Sequence, residues 1–543
     1  MTEFTQNAVI AQNPNPAVPL AAIIDFATDV PVQGVLTIDD GKRIRDKIVK
    51  LSSDLQRRVP VVGLRAGKSH RISLKLETEA GEALPPATFE WQAPDLPPGT
   101  IDFPPINIVA SEPARMEPGF MIVCVRRAAP VRQIWWSEKQ TKFGIRWSML
   151  VGLDEDGEVV WYFQHDSRIA GIDRLPNGNL FFHQVNFQSI EIDLLGNRVN
   201  SFYAAKRPFG PAKDAIPIDA QSMHHQPHIM PNGNYLAMTA NAREFDNYIS
   251  SETDPDAPRQ TIKVVGDRII EFDKDGKVIW SWNTFDHLDP YRVGYQTLEP
   301  YWDPRGFPNH ADWTHGNGLG YDHRDDSVLI SLRAQDCVVK VDRKTSEIKW
   351  ILGDHSGWDE DKQKKLLKPV GNLQWPWHGH NPRVTPEGTI VMYDNALFQA
   401  RPYEPPKQPH ECIARAVEYE VDEERMEVRQ VWSSLDGGHD DGVVSWAMGD
   451  AHRLPQTDNM FVIDSFVAPK ADPLDRRGKV SLADLQWSER ERTHWHLSDF
   501  CYWARIREYA RNENRDVVFE AHVEDPYDIV RWEVFGGLKT PEL

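Results

Sequence analysis

Three histidines in this chain stand at equivalent points of a repeating pattern, and their spacing is the first sign of chemistry. They are His225 in His224-His225-Gln226-Pro227-His228, His315 in Asp312-Trp313-Thr314-His315-Gly316-Asn317, and His380 in Trp377-His378-Gly379-His380-Asn381-Pro382. His225 precedes Pro231 by the same interval that separates His380 from Pro386. A neutral imidazole serves as nucleophile, acid and base near neutral pH. Antiparallel pairing about residue 324 sets His315 opposite Arg333, whose planar, permanently charged fork suits two oxygens of an anion. Imidazoles with a guanidinium, and no obvious carboxylate ligand set, favour transfer of an anionic sulfuryl or phosphoryl group. Such transition states are loose, so catalysis is positioning and charge neutralisation. One imidazole attacks while the other two hold the oxygens.

For these residues to meet, each must head the same strand of a radial repeat. The repeat is visible in its corners, Leu175-Pro176-Asn177-Gly178-Asn179, Met230-Pro231-Asn232-Gly233-Asn234, Thr385-Pro386-Glu387-Gly388 and Leu454-Pro455-Gln456. It is visible again in acidic turns that run into a strand ending at tryptophan: Asp156-Gly157 to Trp161, Asp275-Gly276 to Trp280, Glu347 to Trp350 and Glu427 to Trp432. Asn-Gly and Asp-Gly supply the positive φ of tight hairpins, and units of this size bury their sheets only against neighbours. The expected fold is all-β, a six-bladed β-propeller with blades starting near residues 115, 171, 224, 312, 378 and 445, preceded by a small N-terminal β-sandwich. Residues 1–17 are expected as a polar tail, 18–92 as the sandwich, 93–114 as a Pro-rich linker and 115–543 as the propeller. Inner strands line a propeller's channel, so histidines at their heads form a ring around its mouth.

Around the ring, His224 and His378 flank the candidate catalytic residues as substrate-binding positions. Trp377, in Trp375-Pro376-Trp377, is expected to wall an aromatic substrate. Asn395, on the returning strand, is expected beside His380, with Asp394-Asn395 orienting its imidazole. Two motifs are set aside. Gly63-Leu64-Arg65-Ala66-Gly67-Lys68-Ser69 resembles a phosphate loop but is one residue short and leads into a strand rather than a helix. Asp359-Glu360-Asp361 is mixed with lysines and reads as a solvated loop.

The net charge of −20 and pI near 5.4 oppose a nucleic-acid or anionic-membrane partner. No stretch is apolar enough to span a bilayer, and no export signal is visible at the N-terminus. The four cysteines, Cys124, Cys337, Cys412 and Cys501, lack metal or redox spacing. A cytoplasmic setting with reduced thiols, no cofactor, no metal, small-molecule substrates and a possible homodimer is the expectation.

The segments HHQPHIMPNGNYL, DWTHGNGLGYD, SLRAQDCVVKVDRKTSEIKWILGD and GHNPRVTPEGTIVMYDNA together resemble the bacterial arylsulfate sulfotransferase family over most of the chain. The SLR-plus-IKWILG portion is the most specific. The resemblance implies a nucleotide-independent transferase that moves sulfuryl from an aryl sulfate to a phenol by a ping-pong route through a sulfohistidine. On matching positions His380 takes the nucleophile's place, and His225, His315 and Arg333 those of the sulfate-binding residues. The chain departs from the family at Gly379, where a glutamine is usual, and at Gln226, where an aspartate would give His225 an acidic partner. The usual export signal and nearby disulfide are not visible. Two other readings compete. Three imidazoles with Gln226 could hold a divalent metal in a lyase or hydrolase, and a propeller can be a non-catalytic scaffold.

Overall fold

A computed structural model of the chain describes residues 3–128, 138–437, 442–468, 502–527 and 529–543. Cys501 lies outside the described residues. Among the described residues the strands form eight sheets. Two belong to the N-terminal part: a three-stranded sheet of Phe4–Gln12, Ala22–Thr28 and Gln56–Val61, and a four-stranded sheet of Val32–Asp39, Ile44–Val49, Ser69–Thr78 and Ala87–Gln92. They share one apolar core of Ile24, Phe26, Leu36, Val61, Ile72 and Leu74. Ser69–Thr78 alternates buried and exposed residues, as a strand with one wet face must, so Gly63–Ser69 leads into a strand. Asp359 caps a short helix, Glu360–Gln363, where a loop was expected.

The expected N-terminal tail is instead largely strand. Phe4–Gln12 pairs antiparallel with Ala22–Thr28, and Phe4, Ala8 and Ile10 press on the sandwich core. Their alternation is diluted by polar neighbours in sequence. The expected linker is also shorter, because Ile106–Ser111 pairs with Val517–Val523 at the edge of the last sheet.

The other six sheets form a β-propeller. Their inner strands are Arg531–Thr540, Ile169–Arg174, His224–Ile229, Gly316–Asp322, His380–Val384 and Asp450–Arg453. Each contacts the next and the last contacts the first, closing a ring. Adjacent sheets share apolar clusters, such as Leu329, Trp350, Met392 and Tyr419 between the fourth and fifth. Three cations of the sandwich, Arg43, Arg45 and Arg65, converge on the Asp154–Asp156 turn of the first propeller sheet, with Arg65 Nε 2.8 Å from Asp154.

Closure of the ring depends on Arg531–Thr540, which supplies the inner strand of the sheet otherwise made by Phe120–Ala128, Ser148–Leu153 and Val159–His165. Trp532 on that strand is fully buried, edge-on to Trp147 at 5.5 Å. Removing so large a side chain leaves a cavity that a closed ring cannot collapse into. Trp532→Ala is therefore expected to cost about 3–5 kcal/mol, read as a lowered urea midpoint at unchanged m-value.

Candidate active site

Each candidate histidine sits at the head of an inner strand. His225 follows the first residue of His224–Ile229, His315 immediately precedes Gly316–Asp322, and His380 opens His380–Val384. The backbone there is bent. His225, His315, His378 and Asn381 all have left-handed φ angles, between 42° and 58°. Such φ values cost non-glycine residues about 1–3 kcal/mol each and cluster at functional sites. The rings meet: the His225 centroid lies 5.2 Å from that of His315 and 6.1 Å from that of His380. All three are buried. Gly316 pairs with Leu332, and the Arg333 N–H donates to the His315 carbonyl at 3.2 Å, so the residues expected opposite each other are.

The three imidazoles differ in what stands behind Nδ1. His380 Nδ1 is 2.8 Å from the Gly449 carbonyl, which can only accept, so Nδ1 carries the proton and Nε2 the lone pair. His380 Nε2 is buried and has no protein partner. Burial, opposed by nearby Asp450, lowers its pKa to about 4, so the ring is neutral at physiological pH. Gly449 has a φ of 93°, and a Cβ there would strike the Tyr393 ring at 2.2 Å, so only glycine brings that carbonyl to the imidazole. Asn395, expected to orient His380, does so at one remove. Register pairs His380 with Tyr393, and the Asn395 amide donates to the Ser445 and Met448 carbonyls, pinning the segment that delivers Gly449.

His315 Nδ1 is bonded to the Asp312 carboxylate, and Trp302 Nε1 donates to the same group at 2.7 Å. His225 Nδ1 is 2.8 Å from Nδ1 of His224, whose Nε2 lies 3.1 Å from Asp267, obliquely rather than in line. Asp267 also accepts from Thr314 Oγ1 at 2.5 Å and the Gly316 N–H at 2.6 Å. Burial pulls its pKa up, but these donors and His224 outweigh that and hold the carboxyl ionised. The acidic support absent at Gln226 thus comes from Gln260–Phe272, two strands over in the same sheet, through His224.

Arg333 is buried beside these rings, and its Nη2 donates to the neutral Gln296 amide at 2.5 Å. Burial drives the nearby Glu299 carboxyl well above its ordinary range even against the pull of Arg333. Burial also lowers the Arg333 pKa, opposed by Glu299, Asp312 and Asp336, which face it. His378 accompanies it: its Nδ1 bonds Asp336 at 2.8 Å and its ring lies 5.1 Å from Phe398. Trp377 is half-buried and bonds Asp394 through its backbone N–H; no ring contact joins it to the three histidines among the described residues.

The aromatic surface on the histidines comes from elsewhere. Phe535, on the closing strand, lies 6.0 Å from His225 and 5.9 Å from His380, its ring covered by Arg126 at 4.6 Å. Tyr301 lies 4.4 Å from His315 and 6.4 Å from His225, with Arg305 over it at 3.7 Å. Neither had a local signal in the sequence. Asp312 did, three residues before His315.

Such a site presents a neutral nucleophile, two imidazoles backed by carboxylates that can stabilise a positive charge, a guanidinium and two aromatic walls. It suits transfer of an anionic group from an aromatic alcohol. As to metal, Gln226 spends its amide on the Ile172 carbonyl and accepts from Asn381. Among the described residues no group of three His, Cys, Asp or Glu approaches ligand geometry.

A family model described as arylsulfotransferase (ASST) matches residues 107–529. A protein from Escherichia coli O6:H1 named arylsulfate sulfotransferase AssT is 28% identical over 335 residues, 52% of this chain and 51% of that protein. One of the same name from Lelliottia amnigena is 31% identical over 212 residues, 32% and 35% of the respective chains. The chain thus spans at most about half the length of these curated relatives. Among solved structures, a protein of unknown function from Bacteroides caccae covers 76% of this chain and 97% of its own, at 11% identity and a TM-score of 0.37.

Proposed function

The chain belongs to the arylsulfotransferase family, and on that footing we propose that it moves a sulfuryl group from an aryl sulfate to a phenol through a covalent intermediate on His380. The observation that carries this reading is the buried His380 Nε2, which holds a lone pair, meets no protein partner and lies within one cluster of imidazoles and Arg333. In the first half-reaction Nε2 bonds to sulfur as the bond from sulfur to the aryl oxygen breaks. A phenol leaves. In the second, the acceptor oxygen takes the sulfuryl group and the N–S bond breaks. Arg333 neutralises the equatorial oxygens, and Asp312, bonded to His315 Nδ1, opposes the burial that lowers that ring and so steadies the charge it takes on when it donates to them. Phe535 and Tyr301 stack on the aryl ring.

The test is turnover of 4-nitrophenyl sulfate by chelator-treated protein assayed for metal. The expected result is nitrophenol release that requires added phenol and survives chelation. Loss of activity on chelation, with metal near one per chain beforehand, would favour a metal-dependent lyase or hydrolase instead.

A further inference from the structure

We propose that His225 is the proton-transfer residue for the phenolic oxygen and that His224, backed by Asp267, stores the charge it collects. This rests on the sulfuryl-transfer reading of the site and adds two residues to it. His225 is the ring best placed to meet that oxygen. Among the described residues it alone contacts His315, His380, Tyr301 and Phe535, the junction of the sulfuryl pocket and the aromatic walls. The bridging oxygen between sulfur and ring must pass that junction.

The direction of the relay follows from its acceptor end. Asp267 is ionised and its Oδ1 lies 3.1 Å from His224 Nε2, off the line of a hydrogen bond, so its charge favours the tautomer with the proton on Nε2. His224 Nδ1 is then a lone pair, and His225 Nδ1 donates to it across 2.8 Å. That leaves a lone pair on His225 Nε2. When the acceptor phenol attacks sulfur, the S–O bond forms, the N–S bond to His380 breaks, and the phenol proton passes to His225 Nε2. The His225 Nδ1 proton moves to His224 Nδ1. Positive charge then sits on His224 beside a carboxylate, while His225 remains neutral throughout. The donor half-reaction is the reverse and starts from the charged pair: the His225 Nε2 proton caps the departing phenolate as the S–O bond breaks, and the His224 Nδ1 proton returns to His225 Nδ1.

The surroundings oppose charge on His225. Burial holds His225 well below its ordinary pKa, and His224, His315, His380 and Arg305 add to that. Facing His224 from the neighbouring sheet is His183, which burial lowers to about 3 and which therefore does not compete for the proton. Asp312 and Arg333 act on His315. The carboxylate facing His224 is Asp267. His224 is also fixed in place by Trp302, edge-on at 5.2 Å.

The test compares wild type, Asp267→Asn and His224→Asn across aryl sulfates whose phenols range from nitrophenol to unsubstituted phenol. Loss of proton assistance penalises poor leaving groups most. Each variant is expected to lose less than about tenfold in kcat/KM with 4-nitrophenyl sulfate but about 100-fold or more with phenyl sulfate. Asp267→Asn removes the charge that stabilises the protonated pair, so the pH limb reporting that pair moves to lower pH. An equal loss for every donor with an unmoved limb would mean that both residues only hold His225 in place, and the relay would be wrong. Asp267 also anchors Thr314 and Gly316, so if its variant does not fold, His224→Asn decides by its leaving-group slope. Wild type inactive on every donor would overturn the sulfuryl-transfer reading together with the relay. Wild type active with unchanged slopes in the variants would overturn the relay alone.

Discussion

His380→Ala is expected to lose at least about 10⁴-fold in phenol-dependent turnover of 4-nitrophenyl sulfate, the scale on which enzymes lose an attacking group. In barrier terms that is about 5.5 kcal/mol. The other two imidazoles are engaged otherwise: His225 takes the phenolic proton, and His315 Nδ1 is bonded to the Asp312 carboxylate. His380 is the ring backed by a neutral carbonyl, with its Nε2 buried and without a protein partner. A pH consequence follows. Because burial lowers His380 to about 4, protonation of the nucleophile removes activity near pH 4, far below the 6.5 of a free imidazole. Quenched wild type should carry an acid-labile sulfuryl adduct that His380→Ala lacks. An adduct of undiminished yield in the variant would place the nucleophile elsewhere.

Arg333→Ala is expected to lower kcat/KM for the same donor by about 10³-fold, with most of the loss in kcat. The reason is a guanidinium buried beside the imidazoles, whose Nη2 donates to the Gln296 amide and whose planar fork matches two oxygens of the anion. Arg333→Lys should recover little of this, since an ammonium lacks the planar fork that meets two oxygens at once. Steady-state kinetics beside thermal melts separate lost chemistry from lost fold. A tenfold effect or less would show that the imidazoles carry the charge neutralisation.

The parts of this site that could be read from sequence are those set by local pattern. Period-2 runs between Asn-Gly and Asp-Gly corners mark the hairpins, so His225, His315 and His380 could be placed at strand heads, and Arg333 opposite His315, by counting residues. Contacts made across the ring were not readable. Phe535 reaches His225 only because the closing strand pairs with Phe120–Ala128, from the far end of the chain, and no local pattern encodes that. Asp267 belongs to a strand whose sequence resembles any other. The left-handed bends at His225 and His315 carry no local signal beyond histidine's general tolerance of positive φ. Asn395 was expected on the imidazole itself, but pairing of His380 with Tyr393 carries it past the ring to the Ser445–Met448 segment. At Gly379, where the family usually has a side chain, a Cβ would meet the terminal methyl of Met392, a flexible end that can shift.

That the ring is closed by Arg531–Thr540 also orders events in time. During synthesis the three histidines and Arg333 emerge from the ribosome long before the strand bearing Phe535, and the sheet begun by Phe120–Ala128 waits with its inner edge bare. A nascent chain stalled between His380 and residue 531 already carries the three histidines, Arg333 and Tyr301 but lacks the Phe535 wall. The aromatic face that Phe535 gives the site is therefore completed only when translation has passed that strand.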